Sequence, residues 1–132
     1  MKFYLDTSIW LDIIEKRGYH GEIAKQLIEA IILEDATIVY SDIVINELKS
    51  LGYKKEHKRF LHLPKQHKII RVITTKKQIL EARKISKKRN IPLRDVLHAI
   101  LARDHEAELI SGDAHFLRLY DITKTKNPED VL

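Results

Sequence analysis

A chain of 132 residues is long enough for one domain with a proper core and too short for two ordinary ones. Its 44% hydrophobic and 33% charged residues, the latter of both signs, exclude a disordered polymer, and the absence of cysteine excludes disulfides, thiolate zinc sites and thiol nucleophiles. A formal net charge of +5, from 24 basic and 19 acidic residues, favours phosphate-rich partners.

Met1 to Leu5 reach Asp6 before a signal-like apolar run could form. No stretch approaches the roughly 20 apolar residues of a membrane span, so a soluble, cytoplasmic protein without membrane association is expected. Phe3 to Leu5 predicts a first strand, followed by a helix from about Ser8 to Lys16. A second helix is expected over Glu22 to Glu34, with Ile23, Leu27, Ile28, Ile31 and Ile32 on its apolar stripe. Thr37 to Tyr40 is β-branched and apolar, and Ser41 or Asp42 can cap a helix running to about Leu51. Tyr53 to Leu63 reads as a basic helix ending at Pro64, Ile69 to Ile73 as strand, and Lys76 to Lys88 as helix. Pro92 opens a helix from Leu93 to about His105. Glu108 to Ile110 is a short strand, a brief helix follows Asp113, and a last strand is expected near Ile122. Alternation of this kind predicts a single α/β domain over residues 1–132 with a mainly parallel central sheet. Ligands in such folds collect beyond the carboxyl ends of the strands.

Two acids stand at such ends. Asp6 follows Phe3-Tyr4-Leu5 directly and precedes Thr7-Ser8, and Asp113 follows Glu108-Leu109-Ile110 through Ser111-Gly112. Either could be no more than a helix cap or a turn residue, and Gly112 is placed to let the chain turn sharply. Glu47 has no such explanation. At about 100° per residue, Ile43, Val44, Leu48 and Leu51 span an arc of roughly 140° that contains Glu47, whereas Asn46, Lys49 and Ser50 take the opposite face. A carboxylate on the core side needs a compensating charge or strong donors, the plain alternative being an ion pair with lysine or arginine. Asp95 suits the positive end of the last long helix, yet it shares a face with His98, Ala99 and Ala102 that is expected to be covered.

Four such acids would repel one another unless a cation lay between them. Oxygen ligands without cysteine fit one or two Mg²⁺ or Mn²⁺ ions better than zinc. Asp6, Asp95 and Asp113 are then the principal ligands, and Glu47 completes the set directly or through water. Ser8 or Ser111 would steady a ligand or a water. Ions held in this way can activate water against a phosphate.

Lys54, Lys55, Lys58, Arg59, Lys65, Lys68 and Arg71, with Tyr53 and Phe60 among them, offer a track for an RNA backbone or simply a solvated face. Arg94 beside Asp95 is a further candidate for phosphate contact. His57, His62 and His67 are spaced by five and do not share a helical face, which argues against a zinc site. His98 is read as a helix-packing residue, His115 as stabilising a turn, and Trp10 as core or dimer surface.

Tyr4-Leu5-Asp6-Thr7-Ser8, Asn46-Glu47-Leu48, Ile91-Pro92-Leu93-Arg94-Asp95-Val96-Leu97-His98-Ala99 and Ser111-Gly112-Asp113-Ala114-His115-Phe116, in that order and spacing, together resemble the PIN-domain ribonucleases. The similarity is strongest to the compact VapC-type toxins of toxin–antitoxin pairs. The resemblance implies a three-layer fold with a parallel five-stranded sheet between helices. It also implies an acidic Mg²⁺ or Mn²⁺ pocket, endonucleolytic cleavage of RNA, a homodimer and an antitoxin that inserts into the active-site groove. Related PIN proteins act in RNA processing outside such pairs, and a non-catalytic RNA- or protein-binding domain is the alternative from another class. Haloacid-dehalogenase phosphotransferases want a second aspartate where Ser8 stands, and response-regulator receivers want an acidic pair that Leu5-Asp6-Thr7 lacks.

Overall fold

Phe3, Tyr4 and Leu5 are all buried, so neither face of the first strand, β1 (Lys2–Leu5), meets solvent at these positions. Burial on both faces is the signature of a strand inside a parallel sheet covered by helices. The computed structural model describes residues 1–16, 18–56 and 69–132, with the backbone alone at 114 and 115. β1 lies at the middle of a five-stranded sheet of order β3-β2-β1-β4-β5, formed with β2 (Thr37–Ser41), β3 (Ile69–Val72), β4 (Glu108–Ile110) and β5 (Thr125–Lys126). Every pairing is parallel. The expected α/β architecture with a five-stranded parallel sheet is therefore the observed one.

Among the described residues the strands are connected by helices α1 (Thr7–Glu15), α2 (Gly18–Leu33), α3 (Asp42–Ser50), α4 (Lys76–Arg89) and α5 (Leu93–Asp104). Ser41 caps α3 by accepting the Val44 N–H, and Thr75 and Gln78 close a capping box on α4. Residues 54–56 begin a further helical turn. The rest of the basic helix expected over Tyr53 to Leu63, with Lys58, Arg59, Phe60, His57 and His62, lies outside the described residues, as do Lys65, His67 and Lys68.

Two boundaries differ from expectation for physical reasons. The last strand is not at Ile122 but at Thr125–Lys126, paired with Leu109 and Ile110. The Ile122 and Thr123 N–H groups donate back to the Leu119 carbonyl at 2.9 and 3.1 Å, closing a turn that delays the ladder. Helix α2 begins at Gly18 rather than Glu22. Gly21 sits inside it because a Cβ there would stand 3.0 Å from the Asp12 carbonyl oxygen and from the Lys16 carbonyl carbon. Glycine, a poor helix former, is what lets α1 and α2 approach so closely. Gly21→Ala is expected to cost about 1–3 kcal/mol through this overlap with backbone. Denaturant unfolding followed by the fluorescence of Trp10, the chain's one tryptophan, measures it; an unchanged midpoint would mean that the two helices can part freely.

Helices α4 and α5 are tied by charge at the surface. The Arg103 guanidinium donates to both Glu81 oxygens at 2.8 and 2.7 Å, and its Nε donates to Asp104 at 2.9 Å. The hydrogen bond from Arg103 holds the Glu81 carboxyl below its ordinary range. A depressed folded pKa stabilises the fold above the unfolded pKa, and that stability is lost as pH falls through the folded value. Glu81→Gln should therefore cost roughly 0.2–1 kcal/mol at neutral pH, as for other exposed pairs. Native and variant melting temperatures should converge once Glu81 is protonated; a constant gap down to acid pH would contradict this origin.

Candidate active site

In the order β3-β2-β1-β4-β5 the chain leaves β1 towards β2 on one side and later returns to add β4 on the other. The crevice beyond the carboxyl ends of β1 and β4 is thus the switch point at which parallel α/β sheets bind ligands. Asp6 follows β1 there and Asp113 lies three residues beyond the end of β4.

Asp6 serves as the N-cap of α1, but its carboxylate is engaged mainly elsewhere. Oδ1 accepts from Ser8 Oγ at 2.6 Å and from the Ile9 N–H at only 3.4 Å, and Oδ2 accepts from Ser111 Oγ at 2.7 Å. The Asp6 N–H donates to the Ile110 carbonyl at 3.1 Å, which fixes its backbone across the β1–β4 junction. With Asp6 only 4% exposed, burial raises its pKa against the opposing pull of Ser8, Ser111, His98 and the Ile9 N–H. Among the described residues no lysine or arginine forms an ion pair with it. Ser111 links the two strand-end acids, since the oxygen that donates to Asp6 also accepts the Asp113 N–H at 2.9 Å. Asp113 itself is half-buried. Gly112 does not take the left-handed backbone expected of a sharp glycine turn; a Cβ there would meet only Ser8 Oγ, at 4.0 Å.

Glu47 is half-buried, its side chain 18% exposed, and Oε1 lies 2.7 Å from His98 Nε2. Burial pushes its pKa up, yet the His98 hydrogen bond, the Arg94 charge and the nearby Thr7 hydroxyl outweigh it, and the net shift is downward. The compensating group for this inward carboxylate is a histidine, not the lysine or arginine considered from sequence. His98 is 3% exposed. Its Nδ1 lies 2.6 Å from the Tyr4 hydroxyl, which lies 2.6 Å from Ser41 Oγ. His98 does pack edge-on against Tyr4 and Phe116, as expected of a core residue, but it also holds Glu47. Tyr4, Ser41, Thr7 and this role of His98 escape sequence reading. The available signal was Asp95 and His98 three apart on one face of a helix.

Asp95 is half-buried in the first turn of α5. That helix leads back into β4, so its first turn lies over the carboxyl edge of the sheet, with His98 one turn further along. Its neighbour Arg94 is exposed. With Ile43, Asn46, Glu47 and Ser50, Arg94 lines a groove of about 160 Å³. Lys54 and Lys55 are exposed. Trp10 is core rather than ligand platform, stacked edge-on against Tyr40.

Among the described residues no three histidine, aspartate or glutamate side chains are placed to chelate one ion as they stand. Their chemistry nevertheless fits a hard divalent cation. The donors are oxygens, the buried Asp6 carboxylate resists ionisation without a neighbouring positive charge, and Thr7 Oγ1 is buried with no well-formed hydrogen bond. Carboxylates brought together without a cation would be driven to bind protons.

An all-parallel sheet with Asp6 and Asp113 joined through Ser111 at its switch point places the chain among the α/β proteins that carry acids at the sheet's carboxyl edge. The PIN domain family model matches residues 3–122, and the chain belongs to that family. Nucleases that generally depend on divalent metal make up this family. The fold is shared with VapBC2 from Rickettsia felis bound to a promoter DNA fragment (21% identity, TM-score 0.72, covering 96% of this chain and 98% of that one). It is shared also with VapBC-1 from nontypeable Haemophilus influenzae (20% identity, TM-score 0.67, 98% and 99%). A toxin–antitoxin complex from Klebsiella pneumoniae is similar as well (19% identity, TM-score 0.65, 96% and 97%). No curated protein matches the chain. No helix among the described residues is long and apolar enough to cross a membrane.

Proposed function

We propose that this protein is a metal-dependent endoribonuclease and the toxin of a toxin–antitoxin pair. The observation that carries the reading is Asp6: a buried carboxylate at the switch point, both oxygens fixed by serines, with no cationic side chain paired to it among the described residues. Asp6, Asp95 and Asp113 would hold one or two Mg²⁺ or Mn²⁺ ions, with Glu47 direct or through water. When bound there, such ions would supply Lewis acidity to activate a water and to offset charge on the attacked phosphate. The remaining work falls to the chain itself. Ser8 and Ser111 keep both Asp6 oxygens in place, and Ser111 holds the Asp113 backbone beside them. Glu47, kept ionised by His98 and Arg94, is ready to accept a proton or a cation's charge. Arg94, Lys54 and Lys55 meet the RNA backbone by charge.

Support for the toxin role comes from similarity in fold to toxin–antitoxin complexes over nearly the whole chain. An antitoxin partner, a second copy of the chain and a cytoplasmic setting belong to the same proposal. Cleavage of a mixed RNA pool with Mn²⁺ or Mg²⁺ should be lost in excess chelator and in Asp6→Asn and Asp95→Asn. Equal cleavage by all three proteins, or RNA retained but never cut, would sink the nuclease reading. Growth arrest on expression, relieved by a small protein encoded alongside, tests the toxin role separately; harmless expression of an active enzyme would favour RNA processing.

A further inference from the structure

Four polar groups from four elements form one chain: Ser41 at the end of β2, Tyr4 in β1, His98 in α5 and Glu47 in α3. Its direction follows from counting protons. Among the described residues the buried Ser41 hydroxyl has no acceptor but the Tyr4 oxygen, so Tyr4 donates to His98 Nδ1 and the ring hydrogen sits on Nε2, facing Glu47. In a neutral ring Nδ1 then accepts, and the Tyr4 hydroxyl is its donor at 2.6 Å. The Tyr4 oxygen in turn accepts from Ser41, whose oxygen takes the Val44 N–H at 3.3 Å. Every hydroxyl proton has an acceptor in this arrangement. Were His98 an imidazolium, Nδ1 would donate to Tyr4 and Tyr4 to Ser41, leaving the fully buried Ser41 proton without an acceptor among the described residues. An unpaired buried donor is costly.

We propose that His98 is a positioning residue, locked as its Nε2–H tautomer by Tyr4, which aims the Glu47 carboxylate at the acidic pocket and pre-forms that side of the cation site. The inference rests on the metal-dependent reading above. A glutamate on the first turns of a helix rim would otherwise sample several rotamers. Clamped to a ring that is itself wedged between Tyr4 and Phe116, Glu47 is confined before any cation arrives. Partners that orient a metal-binding side chain in this way typically contribute about 10–100-fold in metal affinity. Neither Tyr4 nor His98 touches substrate in this scheme.

The test uses the full chain and four proteins: native, Tyr4→Phe, His98→Gln and His98→Leu. Long-range ¹H–¹⁵N spectra of the metal-free protein, with the His98 signal assigned by its loss in His98→Gln, should show one Nε2–H tautomer. Tyr4→Phe should show a mixture. Calorimetric titration with Mn²⁺ should weaken by roughly 10–100-fold in His98→Leu and less in Tyr4→Phe. His98→Gln, whose amide can donate to Glu47 and accept from Tyr4, should bind within a few-fold of native. Metal-free melting curves separate these effects from loss of fold. If His98→Leu does not fold, the contrast between Tyr4→Phe and His98→Gln carries the test. An Nδ1–H tautomer in the native protein, or native Mn²⁺ affinity in His98→Leu or in Tyr4→Phe when His98→Leu does not fold, overturns the proposal. A native protein that neither binds Mn²⁺ nor cuts RNA would instead remove the metal reading itself, and this inference with it.

Discussion

Asp6→Asn is expected to lower RNA cleavage by roughly a thousandfold, the scale on which losing one charge-stabilising group acts, without harming the metal-free fold. The two halves of this expectation have one cause. Burial raises the Asp6 pKa, so the folded chain binds the Asp6 proton more tightly than the unfolded chain does. Such an acid favours folding at low pH, and the benefit is lost as pH rises through the raised folded value. The surroundings in the metal-free protein disfavour the charged form of Asp6, and asparagine removes the need to bury that charge at nearly constant shape. The new amide oxygen can still accept from Ser8 and the Ile9 N–H, and its nitrogen can donate to a rotated Ser111 hydroxyl. Chelator-treated Asp6→Asn should therefore melt at or above the native temperature. Mn²⁺ should raise the melting point of the native protein alone, because only a ligand that binds the folded state shifts it. A variant that melted well below native without metal would make Asp6 a structural group first.

Trp10→Ala carries the largest expected loss of stability, about 3–5 kcal/mol for a buried aromatic truncated in a packed core. Trp10 is 2% exposed, stacks edge-on at 5.2 Å against Tyr40, and donates its indole N–H to the Leu5 carbonyl at 3.2 Å. Domains of this size have only about 5–15 kcal/mol in total. The melting temperature should fall by roughly 10–20 °C, measured by circular dichroism because the fluorescent reporter is gone. Trp10→Phe tests the other consequence. It keeps most of the packing but frees the Leu5 carbonyl, next to Asp6, so cleavage should drop while the fold survives. Native turnover in Trp10→Phe would show that the indole hydrogen bond does not help place Asp6.

Most of the architecture was legible because apolar runs and helical periods matched their burial. Phe3 to Leu5 and Thr37 to Tyr40 read as strands for the reason they are buried, and Ser41 caps α3 as its residue type suggests. The two-residue β5 was misplaced because a ladder so short has no periodicity, and backbone bonds to Leu119 decide where it starts. The second helix was expected only from Glu22, whereas it starts at Gly18 and the close approach of α1 explains the glycine inside it. At the site, the 3.6-residue period put Glu47 on the inner side of α3, where it lies half-buried. Its partner was not legible. His98 comes 51 positions later, on a helix whose apolar neighbours made packing a sufficient explanation. Ser111 was seen as a hydroxyl beside an acid, but not as the group that joins Asp6 to Asp113 across a turn.

The proposed chemistry requires a divalent cation held at the switch point by Asp6 and its neighbouring acids. Anomalous diffraction from crystals grown with Mn²⁺ tests it most directly. A peak is expected within bonding distance of an Asp6 oxygen and of Asp95 or Asp113, with Glu47 beside it and still clamped by His98. A fully active protein whose crystals place Mn²⁺ elsewhere, leaving Asp6 bound only to Ser8 and Ser111, would contradict it.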